Sequence, residues 1–84
     1  MTYSFAKLAE DGKIASMWHP EVSGDYIADC KKGREYADEV VSAMRQRENP
    51  ALLGWIVRGF GQDETRKGVE VGFCQRIAEY ALAP

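Results

Sequence analysis

The sequence predicts an all-α fold, a small bundle of about four helices that forms a single domain over residues 1–84. Apolar residues recur at helical spacing over 24–47 and 63–82. Capping residues or helix breakers stand at the ends of these two segments and of a third, 50–60. The composition is that of a globular chain, since 45% of the residues are hydrophobic and 29% are charged.

The N-terminal segment, residues 1–22, fits neither the helical nor the strand period well. Asp11 and Gly12 could close a hairpin between residues 5–10 and 13–18, because both residue types tolerate positive φ. The preceding run A-K-L-A-E, however, consists mainly of good helix formers, and glycine is the usual residue just after a helix. We therefore favour a short helix here and keep the hairpin as the alternative.

The segment 24–47 has the pattern of an amphipathic helix. Ser23 or Asp25 can cap its start. Its opposite face is charged, and we expect that face to lie in solvent. The apolar residues fall on one stripe about 100° wide, which holds Tyr26, Cys30, Gly33, Ala37, Val40, Val41 and Met44.

The dipeptide Asn49-Pro50 predicts a tight corner between two helices. Proline lacks the N–H that a continuing helix needs, but it fits the first position of a new helix, with Asn49 as the cap. The helix 50–60 then spreads its large apolar residues over roughly 200° of arc, about twice what one core-facing stripe requires. This arc is the main excess of hydrophobic surface that the sequence predicts.

The last predicted helix, 63–82, can be capped by Asp63 or Thr65. Its main apolar stripe holds Val69, Phe73, Ile77, Tyr80 and Ala81, extended by Val71, Cys74, Ala78 and Leu82. Its narrow polar side, which we expect to meet solvent, holds Gly72, Gln75, Arg76 and Glu79. Gly68 and Gly72 would let another backbone come close, although we favour a loop glycine followed by a packing glycine.

Glu70 projects into the apolar arc of the last helix. If it is buried it needs a partner such as Arg45 or Arg58, because an unpaired buried carboxylate is costly. The interpretation that we favour places it in an uncovered first turn, where a negative charge suits the helix N-terminus.

Charge and cysteine usage argue against several classes of protein. Eleven basic and thirteen acidic residues give a net charge of −2, without the basic stripe of a nucleic-acid binder. Two cysteines are too few for a secreted disulfide framework, and we expect a cytoplasmic, membrane-free protein. No catalytic motif is present, so we predict a non-enzymatic protein without a cofactor or metal.

Two alternatives remain open. A DNA-binding regulator of the helix-turn-helix type would use Arg45, Arg47, Arg66 and Lys67 to contact phosphates, but the connector between its two helices is longer than usual. A redox or metal module would use His19, Cys30 and Cys74, one ligand short of a closed zinc site. We instead expect the two cysteines to form a buried, reduced pair of small hydrophobic residues.

The function that we favour is protein binding through an apolar helical surface, either in a homo-oligomer or as a regulator or inhibitor of another protein. Exposed apolar patches usually mark interfaces, and aromatic residues dominate interface energetics. The predicted interface residues are Trp55, Phe60, Phe73, Leu52 and Arg58.

Three segments between Asp25 and Ala83 resemble short bacterial proteins of unknown function. The segments are D-Y-I-A-D-C-K-K-G-R-E-Y-A-D-E, N-P-A-L-L-G-W-I-V-R and G-V-E-V-G-F-C-Q-R-I-A-E. This resemblance implies one domain and no particular activity. The small size and acidic charge are also similar to those of anti-CRISPR and other mobile-element inhibitors, an analogy of composition alone.

Overall fold

Three α-helices and one short β-hairpin make up residues 3–83, the part of the chain that the computed structural model describes. The elements are β1 (Lys7–Leu8), β2 (Ile14–Ser16), α1 (Tyr26–Arg47), α2 (Ala51–Val57), a 3₁₀ turn (Glu64–Arg66) and α3 (Lys67–Leu82). The mostly helical fold and the three helical segments are confirmed. A bundle of four helices is not what forms, because the hairpin stands where the first helix was predicted.

The predicted N-terminal helix is wrong, and the alternative hairpin is the structure that forms. The Ala9 N–H donates to the Lys13 carbonyl oxygen at 2.8 Å, and the Gly12 N–H donates to the Ala9 carbonyl oxygen at 3.0 Å. Gly12 has a φ of +82°, which glycine adopts without steric cost. This is a three-residue hairpin loop. Residues 1–2 of the predicted helix lie outside the described part of the chain.

Aromatic residues anchor the N-terminal segment to the helices. Phe5 and Trp18, on either side of the hairpin, are both buried. The Trp18 ring centroid lies 5.0 Å from that of Phe60 and 5.4 Å from that of Phe73. Stacked and edge-to-face ring pairs add to the free energy gained by burying the rings. The hairpin therefore covers one side of the core although its own strands are exposed.

The first helix, α1, begins as the sequence predicts. Asp25 is the N-cap, and its side chain accepts the N–H groups of Ile27 and Ala28. The apolar stripe is largely confirmed, but Tyr26 is 57% exposed, whereas Tyr36 is buried. The Tyr36 hydroxyl accepts the N–H of Glu21 at 3.1 Å, so this ring can be buried with its polar atom bonded.

The second helix, α2, is shorter than predicted. The Asn49 side chain accepts the Ala51 N–H at 3.2 Å at its start, and Leu52 and Ile56 are its buried residues. The chain leaves the helix after Val57 and turns across Trp18. A side chain at Gly59 would meet the Trp18 Cβ at 2.8 Å, so glycine allows this turn to pass close over the indole ring.

Helices α1 and α3 lie with their backbones in direct contact. A Cβ atom at Gly33 would overlap the Val69 carbonyl oxygen, and one at Gly72 would overlap the Cys30 carbonyl oxygen. Gly68 also packs near the first turn of α1. Because residue numbers rise in the same direction along both helices, α1 and α3 run parallel. The close approach that we considered for Gly68 and Gly72 is thus present, with Gly33 as its counterpart on α1.

A cluster of charged residues continues this contact toward the C-terminal ends of the two helices. Arg76 Nε donates to Asp38 Oδ1 at 2.7 Å, and Arg34 Nη2 donates to Glu79 Oε1 at 2.7 Å. Arg76 also donates to Glu79, and the Tyr80 hydroxyl donates to Asp38. The polar side of the last helix was predicted to face solvent, but its Gly72, Arg76 and Glu79 face α1 instead.

Two carboxyl groups in this cluster are held in their charged form. The Tyr80 hydroxyl and then the Arg76 guanidinium lower the pKa of Asp38, and Arg34 and Arg76 lower the pKa of Glu79. A lowered folded-state pKa gives stability that is present above the unfolded pKa and is lost as the pH falls through the folded pKa. We therefore expect acid to weaken the α1–α3 contact.

Replacing the contact glycines by alanine should destabilise the fold strongly. We expect Gly33→Ala or Gly72→Ala to lower the free energy of unfolding by about 3 kcal/mol or more, since the backbones must separate. The matched control is Gly54→Ala, because an added Cβ at Gly54 meets nothing within 4 Å. Inside a helix, alanine is more stable than glycine by about 0.5–1 kcal/mol, so this control should not be destabilised. Urea denaturation measures the free energy of unfolding of all three variants. Equal stability of Gly72→Ala and Gly54→Ala would contradict the backbone contact between α1 and α3.

Acid should weaken the protein through Asp38. We expect the melting temperature to fall as the pH drops below about 4, near the ordinary pKa of a carboxyl group. Asp38→Asn should melt lower than wild type at pH 7 and should lose less between pH 7 and pH 3. Glu35→Gln, which removes an exposed carboxylate 3.9 Å from Lys32, should retain the wild-type pH dependence. An unchanged pH dependence in Asp38→Asn would contradict the role of this carboxylate.

Candidate protein-contact surface

The side of α3 opposite α1 is apolar and exposed. Gly68, Gly72 and Arg76 lie on the side that packs on α1, and Val69 and Phe73 are buried in the core, so only part of the remaining circumference meets solvent. Its residues are Val71, Cys74, Gln75, Ala78, Ala81 and Leu82, which we call the outer face of α3. Val71 is half-buried and the other five are exposed, with Leu82 at 85%. None of the six is charged.

An apolar groove borders this face. The α2–α3 groove has a volume of about 220 Å³ and is lined by Leu53, Val57, Phe73, Cys74, Ile77, Ala78 and Ala81. A second groove of about 510 Å³, between the C-terminal part of α1 and α3, shares Ile77 and Ala81 with it. Arg45 and Glu48 are the charged residues of the second groove. The apolar surface is therefore continuous from Val57 to the corner at Pro50.

The predicted interface residues divide into three groups by exposure. Trp55, at 51% exposure, and Arg58 lie on the surface. Leu52 and Phe73 are buried, at 3% and 1% exposure, so both belong to the core, and Phe73 also lines the α2–α3 groove. Phe60 is partly buried and packs against the rings of both Trp18 and Phe73.

Trp55 does not line the α2–α3 groove. It lies two positions after Leu53, and residues two apart in a helix point in nearly opposite directions. Leu53 belongs to the groove, so Trp55 is directed to the other side of α2. Four of the five predicted interface residues lie in 50–60, and none of the five belongs to the outer face of α3. The pair Gly68 and Gly72 is the sequence signal for the exposed side of α3, because these glycines mark the side that packs on α1.

Glu70 has partners other than the arginines considered from the sequence. Its Oε2 accepts the indole N–H of Trp18 at 2.9 Å, and its Oε1 accepts the backbone N–H of Gly61 at 3.1 Å. The Glu70 side chain is partly buried, so it does not lie in an uncovered first turn. Its partners are also not Arg45 or Arg58. The carboxylate joins the hairpin segment and the loop after α2 to the third helix.

The four basic residues of the DNA-binding alternative do not form one patch. Arg45 and Arg47 lie in the last turn of α1, whereas Arg66 and Lys67 lie at the start of α3. Because the two helices run parallel, these pairs stand at opposite ends of the molecule. Arg66 already has partners within the chain. Its Nε lies 3.9 Å from Asp63 Oδ2, and its Nη1 donates to the Trp18 carbonyl oxygen at 3.4 Å.

The cysteines do not form the buried pair that we expected. Cys30 is partly buried and Cys74 is exposed, and both thiols are free. Within residues 3–83, no group of three or more His, Cys, Asp or Glu side chains is placed to hold a metal ion. His19 is near Arg66, with Nδ1 at 3.5 Å from Nη2. The structure therefore does not bring His19, Cys30 and Cys74 together.

Removing the charge of Glu70 should loosen the attachment of the hairpin segment. We expect Glu70→Gln to lower the free energy of unfolding by about 1–3 kcal/mol, because a hydrogen bond to a charged group is stronger than one to a neutral amide. The fluorescence of Trp18 should also change. Glu64→Gln, an equal charge change at an exposed position, should leave both readouts near wild type. A Glu70→Gln protein as stable as Glu64→Gln would contradict this role.

No protein-family model, curated protein or solved structure significantly matches this chain. The resemblance to short bacterial proteins therefore stays a prediction. Among the described helices, none combines the length and apolar character required to cross a bilayer.

Proposed function

We propose that this chain is a small non-enzymatic protein-binding module whose contact surface is the outer face of α3 together with the α2–α3 groove. It would act in a homo-oligomer or as a regulator or inhibitor of another protein. The observation that carries the proposal is the orientation of α3, which packs its charged side on α1 and presents its apolar side to water.

The composition of the surface supports this proposal. In a chain with 29% charged residues, the lining of the α2–α3 groove includes no charged side chain, and Lys67, at the N-terminal end of α3, is the charged residue that borders the six residues of the outer face. Hydration of such a continuous apolar surface is unfavourable, and its removal from water drives protein association. The small side chains Cys74, Ala78 and Ala81 also leave room for a partner helix to approach closely, the usual way in which an amphipathic helix enters a groove.

The other two functional classes receive less support from the geometry. The separated basic pairs at the two ends of the α1–α3 pair do not form the continuous positive surface that phosphate binding uses. Cys74 lies on the apolar surface itself, where a thiol packs as a small hydrophobic group. Protein contact remains the function that the arrangement favours.

The test replaces one exposed residue in the centre of this surface. Tagged wild-type protein, Ala78→Arg and Ile27→Arg are expressed in the native cell, and the proteins retained with each are identified. Ala78→Arg places a charge on the outer face of α3. Ile27→Arg is the matched control, because Ile27 is 81% exposed on α1, away from that face.

We expect a defined partner, or an untagged second copy of the chain, to be retained by wild type and Ile27→Arg and lost with Ala78→Arg. The loss should be at least tenfold, which corresponds to about 1.4 kcal/mol. Circular dichroism of the purified variants checks that both are folded. If wild type and Ala78→Arg retain the same partners in equal amounts, the proposed surface is wrong.

A further inference from the structure

We infer that residues 3–22, the N-terminal segment that carries the hairpin, form a strap that opens as one unit while the three helices stay folded. Opening would uncover aromatic rings beside the α2–α3 groove and so enlarge the apolar surface of the protein. The way in which the strap is attached carries this inference, which stands whether or not the proposed function holds.

The two ends of the strap are tied to different helices. Ser4, before β1, donates from its backbone N–H and its hydroxyl to the Glu39 carboxylate of α1, at 3.1 and 2.7 Å. Trp18, after β2, donates from its indole N–H to the Glu70 carboxylate of α3 at 2.9 Å. Both glutamates are only partly buried, so water can replace the donors of the strap.

The other hydrogen bonds between the strap and the rest of the chain also use side chains. The Tyr36 hydroxyl accepts the Glu21 N–H at 3.1 Å, and the Arg66 guanidinium donates to the Trp18 carbonyl oxygen at 3.4 Å. Arg66 Nη2 also lies 3.5 Å from His19 Nδ1. Within residues 3–83, no backbone-to-backbone hydrogen bond joins the strap to a helix. The strap can therefore leave without breaking any helical backbone bond.

The apolar attachment of the strap is concentrated in a few rings. Tyr3, Phe5 and Trp18 are buried, whereas residues 7–15 are all exposed. A two-stranded hairpin alone is at most marginally stable in water, so β1 and β2 do not hold the strap in place. The strap thus has few buried contacts for its length, which is typical of segments that open locally.

The contact between α1 and α3 does not require the strap. The close approach at Gly33 and Gly72 and the ionic hydrogen bond between Arg76 and Asp38 are made by the two helices alone. These contacts remain when the strap leaves, so α1 and α3 can stay together in the open state.

The strap also has a defined end. Ser23 is fixed to α1 because its N–H and its hydroxyl both donate to Asp29 Oδ1, at 2.9 and 2.8 Å. Val22, just before it, is exposed. Residues up to Val22 can therefore move away without disturbing the first turn of α1.

Opening would change the candidate contact surface. Trp18 covers the rings of Tyr36, Phe60 and Phe73, at centroid distances of 5.9, 5.0 and 5.4 Å. Phe73 also lines the α2–α3 groove, so the uncovered rings would join that groove. Burial of the same rings favours the closed strap, and the open state is the minor one. A partner that binds the uncovered rings would increase the population of the open state.

Amide hydrogen exchange of the full chain, followed by NMR, tests whether the strap opens separately. The reporters for the strap are the N–H groups of Glu21 and of His19, which donates to the Phe5 carbonyl oxygen at 2.6 Å. The reporter for the helices is the N–H of Val40, in the middle of α1. We expect the two strap amides to share one protection factor, about tenfold or more below that of Val40.

Two variants distinguish opening of the strap from unfolding of the whole chain. Asp38→Asn weakens only the α1–α3 contact, so it should lower the protection of Val40 about fivefold and leave that of Glu21 within about twofold. Glu39→Gln weakens the attachment of the strap, which both strap opening and global unfolding break. It should therefore lower the protection of Glu21 and Val40 by the same factor, about fivefold. Glu35→Gln, the same charge change at an exposed position of α1, should leave both near wild type.

Three results would overturn the inference. Equal protection of Glu21 and Val40 in wild type, or an equal loss at both in Asp38→Asn, would show that the strap leaves only when the whole chain unfolds. A loss of protection in Glu39→Gln that does not reach Glu21 would show that the strap does not open as one unit. The retention experiment with Ala78→Arg does not depend on strap opening, so the failure of either proposal leaves the other standing.

Discussion

The structure depends on the direct backbone contact between α1 and α3. Gly33 and Gly72 allow each helix to approach the other's carbonyl groups, a distance that any side chain at these positions would prevent. Once the two helices are held this closely and in parallel, α2 must carry the chain back from the end of α1 to the start of α3. The hairpin segment then covers the remaining side of the core through Phe5 and Trp18.

This contact also determines which side of α3 faces water. Gly68, Gly72 and the charged residues that follow them, Arg76 and Glu79, share one side of α3. Their ionic hydrogen bonds to Arg34 and Asp38 lie at the border of the contact, where the side chains are partly exposed. Packing the polar side inward leaves an apolar side without a partner in the chain. The surface that we connect with function is thus a consequence of how the core is assembled.

The sequence predicts the helical segments well because their ends carry local signals. Asp25, Asn49 and Asp63 all bond backbone N–H groups at the positions expected of capping residues. The hairpin was kept only as the alternative because helix-forming residues before Asp11 and Gly12 outweighed the turn signal. Tertiary packing of Phe5 and Trp18 decides that segment, and local propensity does not contain this information.

The orientation of α3 was harder to predict for a different reason. Hydrophobic periodicity shows which residues are apolar, but it treats glycine as a neutral gap and so does not register a contact made through Gly72. The apolar arc of α3 is wide enough to pack in more than one rotation. Among the predicted interface residues, Trp55 is exposed, and its angular position around α2, away from the buried Leu52 and Ile56, could have predicted this. The burial of Leu52 and Phe73 follows from which neighbours cover them, and a single sequence does not give this.

The rotation of α3 about its axis is the central claim, and nuclear Overhauser contacts measured by NMR test it most directly. We expect cross-peaks between the α-protons of Gly72 and the protons of Cys30, and between the α-protons of Gly33 and those of Val69 or Phe73. These contacts lie within one chain, so they are expected whether or not two copies associate. Cross-peaks from the Ala78 methyl group to residues of α1 in the same chain, with none from Gly72, would contradict the account.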